Sequence, residues 1–325
     1  MRPITRFAPS PTGYLHLGHV AAATAVWGLA ARAGAQVLLR IEDHDRGRCR
    51  AEFEAALLAD LAWLGLQADN REAIRTGEPS RFRQSDEPEA YATAIARLAE
   101  QGLVYACDCS RKRVKALAPP ADDGIDDAAE LRYDGHCRAR GLALDAPGTG
   151  LRMRMPPGEV VFNDGALGLQ RQDVSRQCGD VLLRDRDGHF TYQLAVAVDD
   201  HRQGVDLVIR GEDLLASTAR QIRIAAALGR RAPPAFYHHG LVRDEGGRKL
   251  GKRFLSEAIA QRRTRGEAPE TVLGAAAHAA GLAGTPAPLR ASDLGALFAH
   301  VPLAALMPER GPTSTHVVSP DRGPP

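Results

Sequence analysis

The sequence predicts an α/β fold: a parallel sheet built from β-α-β units, interrupted by an insertion and finished by a short helical C-terminal part. Three observations predict it. Strand and helix patterns alternate through the first hundred residues, the alternation breaks down from Cys107 to about Arg186, and it resumes at Phe190. Strands separated by helices of this length imply right-handed β-α-β units with parallel strands.

Thr5–Ala8 reads as a short strand running into a Pro/Gly loop, Pro9-Ser-Pro-Thr-Gly13. His19–Ala33 is dense in alanine and closed by Gly34, as a helix should be. Gln36–Ile41 is a buried-strand run, followed by the charged loop Glu42-Asp-His-Asp-Arg46. Ala51–Leu64 carries Phe53, Leu57, Leu58, Leu61 and Leu64 at helical spacing, and Glu87–Gln101 repeats the pattern up to Gly102. An acidic Pro/Gly stretch and short strand-like runs then fill the insertion. Phe190–Val198, with Tyr192 as a strand aromatic, and Val205–Ile209 resume the alternation, and Ser217–Leu228 is a helix closed by Gly229. After Arg253 there remain 72 residues, of which the last 41 hold eight prolines, so the tail is predicted to be irregular or partly disordered. The expected divisions are 1–104 and 189–260 for the two halves of the α/β domain, 105–188 for the insertion, and 261–325 for a short helical segment and Pro-rich tail.

The 325 residues carry 42 Lys+Arg against 40 Asp+Glu, a formal charge of +2. A hydrophobic fraction of 44% with 25% charged residues excludes a collagen, a coiled coil and a wholly disordered chain. The balanced charge argues against coating nucleic acid through bulk electrostatics and leaves a local basic surface open. No apolar run approaches the roughly 18–20 residues that span a bilayer. The best candidate, Val20–Ala31, ends at Arg32, and the N-terminus has no signal-like apolar region. No membrane partner is expected. Five cysteines (Cys49, Cys107, Cys109, Cys137, Cys178) are too few and odd in number for a secreted disulfide framework, which points to a reduced cytoplasm.

Chemistry concentrates first at Pro9–His19, between a strand and a helix, where an α/β sheet presents its ligands. Gly13 and Gly18 let a ligand approach the backbone, and the helix N-terminus beyond favours an anion. His16 and His19, three apart, can both donate hydrogen bonds to phosphate oxygens. A merely solvated loop is the bland alternative. A histidine metal pair is a second, but no carboxylate stands at the spacing a zincin needs. His16-Leu-Gly-His19 resembles the HIGH signature of the class I aminoacyl-tRNA synthetases, with Leu17 at the isoleucine position. Arg6-Phe-Ala-Pro-Ser-Pro-Thr-Gly13 and Leu39-Arg-Ile-Glu-Asp43 resemble the glutamyl branch of that family.

Gly246-Gly-Arg-Lys-Leu-Gly-Lys-Arg253 fits a Walker A loop up to Lys252, but Arg253 replaces the hydroxyl that should ligate Mg²⁺. It resembles instead the KMSKS-type loop of the same family, with Lys249 and Lys252 kept and Gly251 where serine is usual. The resemblance implies that Lys249 and Lys252 bind ATP, with Lys252 stabilising phosphate charge alongside His16 and His19. It also implies that Gly18 belongs to the ATP site. Its glutamate pocket maps onto Arg6, Ala8, Ser10, Glu42, Tyr192 and Arg210. Arginine forks suit carboxylates, and Glu42 suits the substrate ammonium.

Cys107-x-Cys109 and Cys137 fall within 31 positions, the third after an Asp-Gly turn. Thiolates are preferred donors for structural zinc, and a fourth ligand is needed. His136 is the chemically ordinary choice. Arg132-Tyr-Asp-Gly-His-Cys137 resembles the glutamyl-queuosine branch, which implies Tyr133 instead. Taken together, the resemblance covers roughly residues 4–260 and implies a class I synthetase Rossmann-like sheet with a zinc-bearing insertion. It implies ATP with Mg²⁺ as substrate, L-glutamate activation without tRNA, and transfer to the queuosine of tRNA(Asp), by a monomer. The alternatives are a synthetase charging a tRNA 3′ end, a non-catalytic RNA-binding relative, and a nucleotidyltransferase sharing the histidine motif. The 72 residues after Arg253 are too few for the anticodon-binding domain that 3′-end charging of tRNA(Glu) calls for.

Overall fold

In the computed structural model, which describes residues 2–44, 47–117, 131–242 and 257–308, the strands fall into three sheets. The first is β1 (Ile4–Phe7) and β2 (Gln36–Leu39), paired in parallel across α1 (Leu17–Ala33). This is a single β-α-β unit. α1 starts at His16 and stops where Gly34 takes a left-handed φ of 63°, donating its N–H to Ala30 O and Ala31 O. α2 (Ala51–Trp63) and α3 (Pro88–Glu100) follow, the latter with proline in its first turn, where the missing N–H costs nothing.

β3 (Val104–Cys107) then enters a different sheet. With α4 (Arg111–Leu117) between them, β3 and β4 (Gly150–Met153) pair antiparallel. β5 (Val160–Asp164) and β6 (Gly168–Gln172) form a hairpin. α5 (Val174–Gln177) leads to β7 (Val181–Arg184), which returns to β4. The chain continues through α6 (Tyr192–Arg202), β8 (Leu207–Gly211), α7 (Thr218–Ala227) and β9 (Ala235–His239). The third sheet has the order β6-β5-β9-β8, so the hairpin from within the 105–188 span is hydrogen-bonded to a strand of the second catalytic half. Asp206 N donates to Ile4 O at 2.8 Å and joins this sheet to β1. α8 (Ile259–Thr264) and α9 (Pro269–Ala279) close the described fold.

One expectation needs correction. Phe190–Val198 is not a strand: α6 begins at Tyr192. The Leu-Ala-Val-Ala-Val alternation resembles a buried strand, but Gln193–Asp200 are all buried, and a helix buried all round has no polar face to reveal its period. The described part of the Pro-rich tail, up to residue 308, carries no α-helix or strand beyond α9. Short 3₁₀ turns at Ala291–Phe298 and Leu303–Leu306 bury Leu294, Phe298, Val301 and Leu306 in the core shared with α1. The described part of this tail therefore packs into the same hydrophobic core as α1, β1 and β2, and residues 309–325 lie outside the described residues. Among the described residues no helix is long and apolar enough to cross a membrane.

Gly28 on α1 makes the tail contact possible. A Cβ there would lie 2.4 Å from the Phe298 ring and 2.9 Å from Leu294 O. The carbonyl cannot swing away as a side chain end would. Gly28→Ala is therefore expected to destabilise the chain by about 1–3 kcal/mol through overpacking, despite alanine's better helix propensity. Urea unfolding checks this; an equal or raised midpoint would show that the tail does not press on α1.

Candidate functional site

The loop from β1 to α1 ends in two histidines that cap the helix. His16 Nδ1 accepts the Gly18 N–H at 3.1 Å, and His19 Nδ1 accepts the His16 N–H at 3.2 Å. The rings lie 3.8 Å apart, tilted by 34°. A ring nitrogen that accepts a backbone N–H cannot carry the proton, so in the neutral form both Nε2 atoms are the donors. Burial, with His16 alongside, pushes His19 down to about 4. His19 is thus a neutral hydrogen-bond donor at the helix N-terminus across physiological pH.

Every candidate residue for glutamate and ATP that falls among the described residues lines one cavity of about 560 Å³. It opens where the carboxyl ends of β1, β8 and β9 meet the N-terminus of α1, the position at which parallel sheets bind ligands. Ala8 and Ser10 come from the loop after β1, while Tyr192 enters from the first turn of α6. Lys249, Gly251 and Lys252 lie outside the described residues.

The charged residues of this cavity are fixed from behind. Asp200 accepts Arg6 Nε at 3.0 Å and Arg40 Nη1 at 2.6 Å. Arg6 also donates to Ile209 O at 3.3 Å. Arg40 is fully buried and reaches Glu42 Oε1 twice, at 2.9 and 3.3 Å, which fixes the Glu42 side chain from behind. Burial alone would lower the Arg40 pKa, but Asp200, Glu42 and Asp199 raise it well above the ordinary range. Burial would likewise raise the Asp200 carboxyl, yet Arg6 and Arg40 hold it far below its usual value.

Arg210 is different. Its Nε donates to His238 Nε2 at 3.0 Å, its Nη1 to Gln221 Oε1 at 2.7 Å and its Nη2 to Thr218 Oγ1 at 2.8 Å. All three partners are neutral. Among the described residues no carboxylate lies within ion-pair distance of it, and burial lowers its pKa. A buried cation without a counter-ion is costly, so such a group calls for an anionic ligand. Two of its five N–H groups are left for one.

Sequence reading missed Arg40, Asp200, His238 and the cavity-lining His239. His239 donates through Nδ1 to Gly240 O at 3.0 Å, and its Nε2 is buried with no partner. A charged Arg40 inside a run of apolar strand residues was the available signal, since a buried charge demands partners.

The cysteine cluster forms a second site. The Cys107, Cys109 and Cys137 sulfurs lie within 4.8 Å of one another, with Cys109 and Cys137 3.5 Å apart. Tyr133 Oη stands among them, 3.4 Å from Cys107 Sγ and 3.7 Å from Cys109 Sγ, and accepts the Cys137 N–H at 2.8 Å. A zinc tetrahedron with Zn–S bonds of about 2.3 Å has edges of roughly 3.7 Å, so the donor spacing fits such an ion. His136 is exposed. The cluster could hold a metal.

A parallel sheet whose first strand turns into a histidine-capped helix, over a cavity with an arginine that has no carboxylate partner among the described residues, defines the catalytic domain of a class I aminoacyl-tRNA synthetase. The family described as tRNA synthetases class I (E and Q), catalytic domain, matches residues 4–279, and the chain belongs to it. A glutamyl-Q tRNA(Asp) synthetase of Symbiobacterium thermophilum is 40% identical over 299 residues, covering 90% of this chain and 91% of that protein. A second, from Rhodobacter capsulatus, is 39% identical over 281 residues, covering 83% of this chain and 98% of its own. Among solved structures, a glutamate-tRNA synthetase from Elizabethkingia anophelis superimposes with a TM-score of 0.74 at 26% identity, over 94% of this chain and 67% of that one.

Proposed function

We propose that this chain activates L-glutamate with ATP and Mg²⁺, releasing pyrophosphate, and transfers the glutamyl group to the queuosine in the anticodon of tRNA(Asp). Activation needs no tRNA. The observation that carries glutamate activation is Arg210, a guanidinium with no carboxylate partner among the described residues, in the same cavity as the two Nε2–H donors of His16 and His19. Arg6 and Arg210 bind the substrate carboxylates, Glu42 the ammonium, and Ala8, Ser10 and Tyr192 shape the pocket around them. The α-carboxylate attacks the α-phosphorus of ATP, and the P–O bond to pyrophosphate breaks. His16, His19 and Lys252 stabilise the negative charge on the phosphates without acting as nucleophiles, Gly18 keeps the backbone open to them, and Lys249 assists at the triphosphate. The choice of acceptor is supported by two relatives named for it that match this chain along most of both lengths.

The cysteine cluster holds one structural Zn²⁺ through Cys107, Cys109, Cys137 and Tyr133. The metal supplies a rigid cross-link between the β3 end and the 133–137 turn. Each sulfur also accepts a guanidinium N–H: Arg152 on Cys107 at 3.4 Å, Arg113 on Cys109 at 3.2 Å and Arg140 on Cys137 at 3.4 Å. These three cations offset the anionic ligand set. About one equivalent of zinc per chain is expected, lost in Cys137→Ser and bound about 10–100-fold more weakly in Tyr133→Phe. A chelator-competition assay measures this, and full zinc affinity in Tyr133→Phe would remove the phenol from the ligand set. The cytoplasm is the expected compartment for a member of this family.

Glutamate-dependent ATP–pyrophosphate exchange tests the reaction. Exchange with glutamate alone is expected; no exchange, or exchange only after tRNA is added, would contradict it.

A further inference from the structure

Behind Arg210, three adjacent strands align three side chains. Arg210 on β8 stands opposite His238 on β9, and β9 pairs on its other side with β5, which ends at Asp164. The side chains of His238 and Asp164 have no exposed surface. Arg210 Nε meets His238 Nε2 at 3.0 Å, and His238 Nδ1 meets Asp164 Oδ2 at 2.5 Å. The other carboxylate oxygen, Oδ1, accepts the N–H groups of His238, Ala166 and Leu167 at 3.2, 3.0 and 3.0 Å.

Only one tautomer satisfies both contacts. A guanidinium has no lone pair to offer, so His238 Nε2 must be the acceptor and Nδ1 must carry the proton to Asp164. Burial favours the neutral imidazole, which this arrangement requires. A carboxylate placed directly on Arg210 would occupy its fork and cancel its charge. The imidazole avoids this: it supplies a neutral acceptor at Nε and keeps the carboxylate one residue away, where it polarises the ring.

We propose that His238 and Asp164 are positioning residues that aim the Arg210 guanidinium at a carboxylate of glutamate while leaving its positive charge for the substrate. The proposal rests on Arg210 being a glutamate-binding residue.

Steady-state exchange kinetics on the full chain test it, with thermal unfolding of each variant alongside. His238→Leu should raise the glutamate KM at least about 10-fold, the effect of losing a hydrogen bond to a charged group. Both kcat and the ATP KM should stay within about 3-fold. His238→Gln, with an amide oxygen that can accept from Arg210, should recover most of the loss. Asp164→Asn should raise the glutamate KM in the same direction by less, and it decides the matter if His238→Leu does not fold. Arg210→Gln is the control for the underlying reading. If it leaves the glutamate KM unchanged, Arg210 does not bind glutamate. If it raises that KM while folded His238→Leu or Asp164→Asn does not, the positioning role is overturned. A uniform loss across kcat and both KM values in the positioning variants would also overturn it, as a purely structural effect.

Discussion

His19→Ala is expected to lower kcat for glutamyl-adenylate formation by about 10²–10³-fold, the usual cost of removing one donor from a preorganised anion site. The loss should appear in kcat more than in the glutamate KM, because in the proposed reaction His19 donates to the phosphates and not to the amino acid. Part of it would be structural, since His19 Nδ1 accepts the His16 N–H in the capping arrangement. His19→Asn can keep that bond while losing the Nε2–H, so a comparably inactive but equally stable Asn variant isolates the donor role. A pH titration is a second check. Burial holds the ring at about 4, below the unfolded value near 6.5. Between these limits the unfolded state binds more protons, so the stability contribution is full above about pH 6.5 and is lost as pH falls through 4. NMR of labelled histidine should show one ring titrating near 4 that disappears in His19→Ala. A titration near 6.5 would mean that the ring is solvated and the site misread.

Arg210→Ala is expected to raise the glutamate KM by about 10²–10³-fold, since a buried charged pair costs roughly 2–5 kcal/mol when one partner is truncated. Arg210→Lys should rescue little. One ammonium cannot reproduce the fork that reaches His238, Gln221 and Thr218 at once and still presents two N–H groups to substrate. Substrate titration in the exchange assay measures both variants. A Lys variant close to wild type would show that charge alone suffices, and an Ala variant close to wild type would remove Arg210 from the pocket.

What could be read in the residues was mostly local. The strand-loop-helix run from Thr5 to Ala33 was legible because its cap, its glycine stop and its apolar positions are neighbours in sequence. The cysteine cluster was legible for a similar reason: Cys-x-Cys and Tyr-Asp-Gly-His-Cys each bring donors together within one turn. Arg6, Tyr192 and Arg210 were legible only through resemblance, because nothing near them marks them as ligands. The pairings that hold them were not legible, even where a charged Arg40 in an apolar run called for a partner. Arg40 meets Asp200 across 160 residues, and His238 meets Asp164 across 74, so only tertiary structure makes them partners. α6 reads as a strand for a physical reason too: Gln193–Asp200 are all buried, so the Leu-Ala-Val-Ala-Val run shows no polar stripe at helical spacing. The prolines of the tail outweighed Leu294 and Phe298, whose spacing made sense only once Gly28 had opened a place for them on α1.

Labelled-glutamate transfer tests the choice of acceptor most directly. tRNA(Asp) with and without queuosine, and tRNA(Glu), are each incubated with the chain, ATP, Mg²⁺ and labelled glutamate. Label is predicted on queuosine-containing tRNA(Asp) alone, and it should survive removal of the 3′-terminal nucleotide. Label on tRNA(Glu), or label lost with the terminal nucleotide, would contradict the assignment.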